Sequence, residues 1–320
     1  MVLLRGHMRR QLCAWLAATL TTVLTLAVVW SSSALAAEVK QKHFASAEEG
    51  VEALMAALKA NDVKAMLAIL GPDARPLIVT GDAVADRQER ERVVREYEES
   101  HSLAMTGEAK AVLQVGKDDW PLPIPLVKED AGWRFDTPAG KEEILNHRIG
   151  RDELAAIEVC RAYVDAQREY YLRNPGRDAL HQYAQKFLST KGKRDGLYWT
   201  TKDSEEPSPL GPLIARAQGR GYVKAKDVQG IPLPYYGYYY RILKSQGADA
   251  PGGAYDYVVR GKMIGGFALV AYPANWGNSG VMTFIVNHDD VVYQKDLGPD
   301  TAAAARAMSR FDPDSTWTRL

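Results

Sequence analysis

The chain has 320 residues, 46% of them apolar and 25% charged, with 40 basic and 40 acidic side chains. That length holds one large domain or two ordinary ones, and the composition is that of a folded globular protein. The balanced charge excludes the basic excess that carries nucleic-acid binding, so no nucleic acid is expected as a partner.

Arg5, Arg9 and Arg10 precede an uncharged run from Leu12 to Trp30, and SSSALAA follows. A positive segment, an apolar segment and a small-x-small site at Ala34-Leu35-Ala36 form the pattern of a secretory signal peptide, with cleavage expected after Ala36. The run is also long enough to stay uncleaved as an anchor, the one membrane contact this sequence offers. Cys13 lies inside it without a lipobox. The expected location is the periplasm. Removing residues 1–36 takes away three basic and no acidic residues, leaving 37 basic against 40 acidic, a charge of −3. Cys160 is then the single cysteine, so no internal disulfide forms. Beside Ile157 and Val164 in a helical pattern, it reads as a small core residue.

Residues 37–150 read as a first α+β domain. Ser46-x-x-Glu49 is a capping box that opens AEEGVEALMAALKAND, with Val51, Leu54, Met55 and Leu58 on one stripe. A second helix carries Met66, Leu67 and Leu70 and stops at Gly71-Pro72. A third, DRQERERVVREYEES, is charged throughout and expected to be solvated. From Ala109 short β-rich runs follow (AKAVLQV, PLPIPLVKED, GWRFDT), with a hairpin turn at Asp130-Ala131-Gly132. Helices packed on a small antiparallel sheet resemble, in element order, a cystatin-like or nuclear-transport-factor-like cone.

Residues 151–320 read as a second α+β domain, with the boundary near Gly150. A helix is expected from about Asp152 to Leu172. An irregular section rich in Gly, Pro and Ser follows, which a compact domain carries only when it is functional or packed over something. The last third reads as an antiparallel meander with strands at 235–243, 255–260, 264–272, 281–287 and 291–295. A final helix spans about Pro299 to Ser309, and Trp317 pins the tail. A long helix followed by a meander is loosely pilin-like, but the leader lacks a prepilin pattern.

The sequence contains no HExxH, CxxC pair, Walker lysine loop, GxGxxG or GxSxG, so no catalytic residue, metal ligand or cofactor is assigned. Ser279 in GNSG reads as a turn serine. Glu143, His147 and Arg151 share one helix face if the helix persists past Gly150. There they form either an ion-pair ladder or a proton-exchanging pair. His288-Asp289-Asp290 reads as a hairpin turn. The one concentrated feature is PYYGYYYRILKSQG from Pro234. Strand alternation sends Tyr236, Tyr238, Tyr240 and Ile242 to one face, and Tyr235, Gly237, Tyr239, Arg241 and Leu243 to the other. Core packing is the plain reading of this pattern. The sharper one is a ring surface for sugar or peptide, with Tyr235, Tyr239 and Arg241 set against Tyr236, Tyr238 and Tyr240 as candidate ligand contacts.

WPLPIPLVKEDAGWRFDTPAGKEEILNHRIGRDELAAIEVCRAYVDAQREYY, KGKRDGLYW, SPLGPLIARA and the stretch from Tyr235 to Asn287 resemble the bacterial domain of unknown function family 2950, across about residues 44 to 320. The resemblance implies an exported protein of Gram-negative bacteria and carries no catalytic residues. The expectation is a non-enzymatic periplasmic module that binds an envelope component or an exported protein. An envelope hydrolase acting on glycan or peptide, with Glu143, Asp256 or Asp296 as its carboxylates, is the first alternative. An assembly factor for another exported protein is the second.

Overall fold

The computed structural model describes residues 40–202, 204–222 and 234–320. The leader and its Ala34–Ala36 site lie outside these residues. The capping box forms: Ser46 Oγ accepts from the Glu49 amide (3.1 Å) and the Glu49 carboxylate accepts from the Ala45 amide (2.9 Å). Helix α1 (Ala47–Lys59) follows, burying Val51, Leu54 and Met55, and Asp62 caps α2 (Val63–Leu70). One short turn of helix, α3 (Arg75–Ile78), leads to α4 (Ala83–Glu99), which has no buried residue, as its charge pattern predicts.

A five-stranded antiparallel sheet comes next. Its strands are β1 (His101–Met105), β2 (Lys110–Val115), β3 (Trp120–Pro121), β4 (Leu126–Glu129) and β5 (Gly132–Phe135). The order is β1-β2-β4-β5, with β3 paired to β2. Along β2, Ala111, Leu113 and Val115 are buried and their neighbours are not, which is the two-residue period of a sheet covered on one side. With α1 and α2 these side chains form the first core. Phe44 extends the sheet by exchanging two 2.8 Å amide–carbonyl bonds with Trp133.

Helix α5 runs unbroken from Thr137 to Arg173, 37 residues, through Gly150. A Cβ at Gly150 would meet nothing within 4 Å, so this glycine costs only about 1 kcal/mol of helix propensity and no packing. The buried positions Asp152, Ala156, Val159, Cys160, Tyr163, Gln167 and Tyr170 repeat at three and four residues and face the second core. The irregular section is packed down on this helix. Leu197 and Leu210 are buried, the Tyr170 hydroxyl donates to Arg194 O (2.8 Å), and Arg173 donates to Pro207 O (2.6 Å). Helix α6 (Gly211–Gly219) ends it.

The C-terminal antiparallel sheet has the order β14-β13-β12-β11-β6, with β6 Tyr238–Leu243, β11 Ala268–Pro273, β12 Met282–Asn287, β13 Val292–Asp296 and β14 Thr318–Arg319. Every residue of β11 is buried, because α5 lies on one side and α7 (Thr301–Ala307) on the other. Two small ladders complete the meander: β7 (Ser245–Gln246) with β8 (Tyr255–Asp256), and β9 (Val258–Val259) with β10 (Lys262–Met263). The molecule is α+β: helices with a small antiparallel sheet, a long helix, then a five-stranded antiparallel sheet. Among the described residues no helix is long and apolar enough to cross a membrane.

Candidate functional site

The tyrosine run does not enter the sheet at Tyr235. Tyr236 and Gly237 have φ of +51° and +69°, and Tyr235 and Tyr238 exchange amide–carbonyl bonds of 2.9 and 3.2 Å across them. That is a two-residue reversal with both central residues left-handed, so the strand starts at Tyr238. The alternation expected from 235 onwards is therefore corrected: Tyr235 and Tyr236 belong to a turn that stands off the sheet.

Three segments hold this turn. Asp82, 2% exposed, accepts at one oxygen from the amides of Val84 (3.2 Å) and Ala85 (3.0 Å), as the N-cap of α4. At the other it accepts from the Tyr222 hydroxyl (2.7 Å) and the Gly237 amide (3.1 Å). Four donors fill the acceptor positions of a carboxylate, so Asp82 acts as a structural knot. The Tyr222 hydroxyl accepts in turn from the Tyr236 amide (3.3 Å). Ser279, fully buried, donates to Gly237 O (2.9 Å) and accepts from the Asn275 amide (3.1 Å). A side chain at Gly237 would stand 2.8 Å from Ser279 Cβ and 3.0 Å from an Asp152 oxygen.

Beneath the turn lie two charged groups from α5. Asp152 is 3% exposed and bonded to Arg151 Nε (3.1 Å). Burial pushes its carboxyl up to about 6 against the pull of Arg151 and Arg148, with Asp82 adding to the rise. Arg148 donates to Pro76 O (2.9 Å), Leu77 O (2.7 Å) and Asn278 Oδ1 (2.7 Å), and burial lowers its pKa. Above the turn the rings gather. Tyr222 meets Tyr235 edge to face at 5.0 Å, Tyr235 meets Tyr236 at 4.7 Å and 67°, and the Arg220 guanidinium lies 4.9 Å over Tyr236. Tyr235 and Tyr236 are half-buried, and Arg216 and Arg220 are exposed. The Tyr235 hydroxyl is enclosed and has no hydrogen-bond partner among the described residues.

Residues 41–320 match the family model DUF2950, described as a protein of unknown function. The chain belongs to this family. No curated protein and no solved structure matches it.

In this DUF2950 chain the six tyrosine-run candidates separate. Tyr235 and Tyr236 lie at the ring cluster. Tyr239 is half-buried, 5.6 Å from Tyr272. Tyr238 is fully buried and donates to Met282 O (2.9 Å), and Tyr240 turns its hydroxyl inward to Tyr235 O (3.3 Å). The Arg241 guanidinium donates to Ala305 O (2.6 Å) and Met308 O at the end of α7, so its charge is occupied inside the fold.

The other candidates are dispersed. Glu143 and His147 are exposed on α5, and among the described residues they form no ion pair with each other. Arg151 instead faces Glu89 (3.5 Å) and Asp152. Asp256 is exposed on β8, and Asp296 accepts from Trp276 Nε1 (2.8 Å) and the Gly298 amide (2.7 Å). His288–Asp290 is the β12–β13 turn, tied by Asp290 N to Asn287 O (3.0 Å). Cys160 is fully buried, its thiol pushed up to about 12 by that burial. Among the described residues no three His, Cys, Asp or Glu side chains converge as a metal site would require. Asp82, Asp152, Arg148 and Tyr222 were not anticipated. Only Asp82 carried a signal, since Gly81-Asp82 ahead of Ala83 is a helix-start pattern.

Proposed function

We propose that this chain is a non-enzymatic periplasmic binding module whose recognition surface is the Tyr235–Tyr236 turn together with Arg216 and Arg220. The export pattern at Arg5, Arg9, Arg10 and Ala34–Ala36 supports the location. Its two modules, 37–150 and 151–320, share helix α5. The first is read as a cystatin-like or nuclear-transport-factor-like cone and the second as loosely pilin-like, and neither likeness carries the functional argument. The observation that carries it is the guanidinium held 4.9 Å over the Tyr236 ring, on a turn fixed by Asp82, Tyr222 and Ser279. Two rings at 67° offer stacking faces that need no reordering, and the exposed arginines supply forked donors for a carboxylate. The ligand class is a carboxylate-bearing glycan or peptide of the envelope.

An envelope hydrolase would instead use Asp152, whose carboxyl stands near 6. Asp82 beside it is saturated with donors and cannot serve as the second group without releasing the turn. Cosedimentation of the mature protein with isolated envelope glycan and with envelope peptides tests the choice. Replacing both Tyr236 and Arg220 by alanine is expected to weaken retention at least about tenfold, since base- or sugar-type stacking and a guanidinium contact are each worth about 1 kcal/mol or more. Unchanged retention by the double variant rejects the binding surface. Release of soluble fragments that stops with Asp152→Asn replaces binding by hydrolysis.

A further inference from the structure

A concavity lies away from the tyrosine turn, where α5, the 182–195 segment and the β6–β7 corner meet. It measures about 330 Å³ and is lined by Tyr170, Gln182, Tyr183, Gln185, Lys186, Asp195 and Lys244. That volume lies at the lower end of small-molecule sites. We propose that this groove binds a small anionic sugar, a ring bearing one carboxylate or phosphate, with Lys244 as the principal charge contact.

The walls are fixed before any ligand arrives. Tyr183 stacks on Tyr171 at 4.9 Å and meets Phe267 edge to face at 4.8 Å, and Tyr170 is anchored through its hydroxyl to Arg194 O. Gln182 donates from Nε2 to Asp178 (2.8 Å) and Gln185 from Nε2 to Gly261 O (2.8 Å), which fixes both side-chain amides at the groove. Carbonyl acceptors beside tyrosine rings suit the hydroxyls and the apolar face of a sugar.

The charge of the groove is not balanced. Its one acid, Asp195, is taken by Lys186 (2.7 Å) and by the amide (2.7 Å) and hydroxyl (2.9 Å) of Thr190. Burial works against that charge, yet these partners hold the carboxyl down at about 2. Lys244 forms no ion pair among the described residues, and its amine donates to Gln185 Oε1 at 3.4 Å. Lys191 and Lys193, exposed on the adjoining loop, form no ion pair among the described residues and add to the positive potential. A neutral sugar leaves Lys244 unmatched, whereas an anion completes it.

Calorimetric titration of the mature protein with glucuronate, glucose 6-phosphate and glucose tests this assignment. Saturable binding of either anion, without binding of glucose, is expected, and Lys244→Ala should weaken it tenfold or more. Lys244 is exposed, so this variant retains the fold, and circular dichroism verifies it. No saturation at millimolar ligand, equal binding of glucose, or an unaffected Lys244→Ala protein overturns the proposal. Competition by a glycan chain carrying the same acid places the ligand on a polymer, and its absence places it in the soluble pool. In a Tyr236→Ala, Arg220→Ala background, which removes the ring surface, Lys244→Ala should still weaken the anion titration tenfold or more, and that comparison separates this groove from the ring surface.

Discussion

Asp152 opposes the fold that contains it. An aspartate has an ordinary pKa of 3.8, and burial raises this one to about 6 while leaving it 3% exposed. The native state therefore holds the proton more tightly than the unfolded chain. The favourable contribution is complete below about pH 4 and is lost as pH rises through 6, because above that the fold contains a buried, imperfectly compensated charge. Over the full window the loss approaches about 3 kcal/mol, at 1.36 kcal/mol per unit. Asp152→Asn keeps the shape and removes the charge. It should raise the urea midpoint at pH 8 and leave it nearly unchanged at pH 4. A destabilised variant at pH 8, or a gain independent of pH, would show that the ionised carboxylate is repaid by Arg148 and Arg151. None of this was legible beforehand, because an aspartate in the first turns of an expected helix reads as a surface charge. Its burial follows only once Gly237, with no side chain, brings the turn down onto it.

Arg241 shows how an element recruits a residue that looked available to a ligand. Helix α7 has only seven residues and no side-chain N-cap bond, so it is marginal by itself. The guanidinium donates to the carbonyls of Ala305 and Met308, where the helix dipole is negative and the carbonyls lack helical partners. Arg241→Met should cost about 2 kcal/mol and act locally. The expected sign is faster hydrogen exchange at Met308, whose amide donates to Ala304 O, with β11 and β12 amides little changed. Uniform loss of protection would make Arg241 a core residue instead. At this scale the chain was largely readable, and the misses have causes. Strand β1, HSLAM, is mostly exposed and lacks alternation, so only its five-residue register with β2 defines it. The strand expected from 235 ignored that glycine in a strand pattern marks a bend or close approach, and Gly237 is both. The helix, left open at Gly150 in the sequence, persists through it because that position is exposed, where glycine costs little. Strands β11 and β12 were found because a dense apolar run leaves few other places for a chain to go.

The described residues form two hydrophobic cores, one from Phe44 to Phe135 and one from Ala156 to Phe311, and one helix passes from the first to the second. A helix alone couples them weakly, since its ends can fray independently. Arg148 supplies a second tie. Its three bonds reach the α3 carbonyls of Pro76 and Leu77 on one side and Asn278, in the turn before β12, on the other. Asn278 Nδ2 returns to Val79 O at 3.4 Å, and Asp82 with Tyr222 and Gly237 closes the same seam. Removing Arg148 takes the donor from two half-buried carbonyls and a buried amide oxygen, and leaves Arg151 as the one cation bonded to Asp152. Arg148→Ala should therefore cost about 3 to 5 kcal/mol. The form of unfolding should change as well. The parent is expected to melt in one transition, because either core alone would expose this seam. In the variant the seam is already broken, and calorimetry should resolve two transitions. Proteolysis at the intermediate temperature should release one intact fragment containing Trp133 or one containing Trp276. A single transition merely shifted down would mean that α5 and its packing are sufficient to couple the cores, and that Arg148 stabilises without joining.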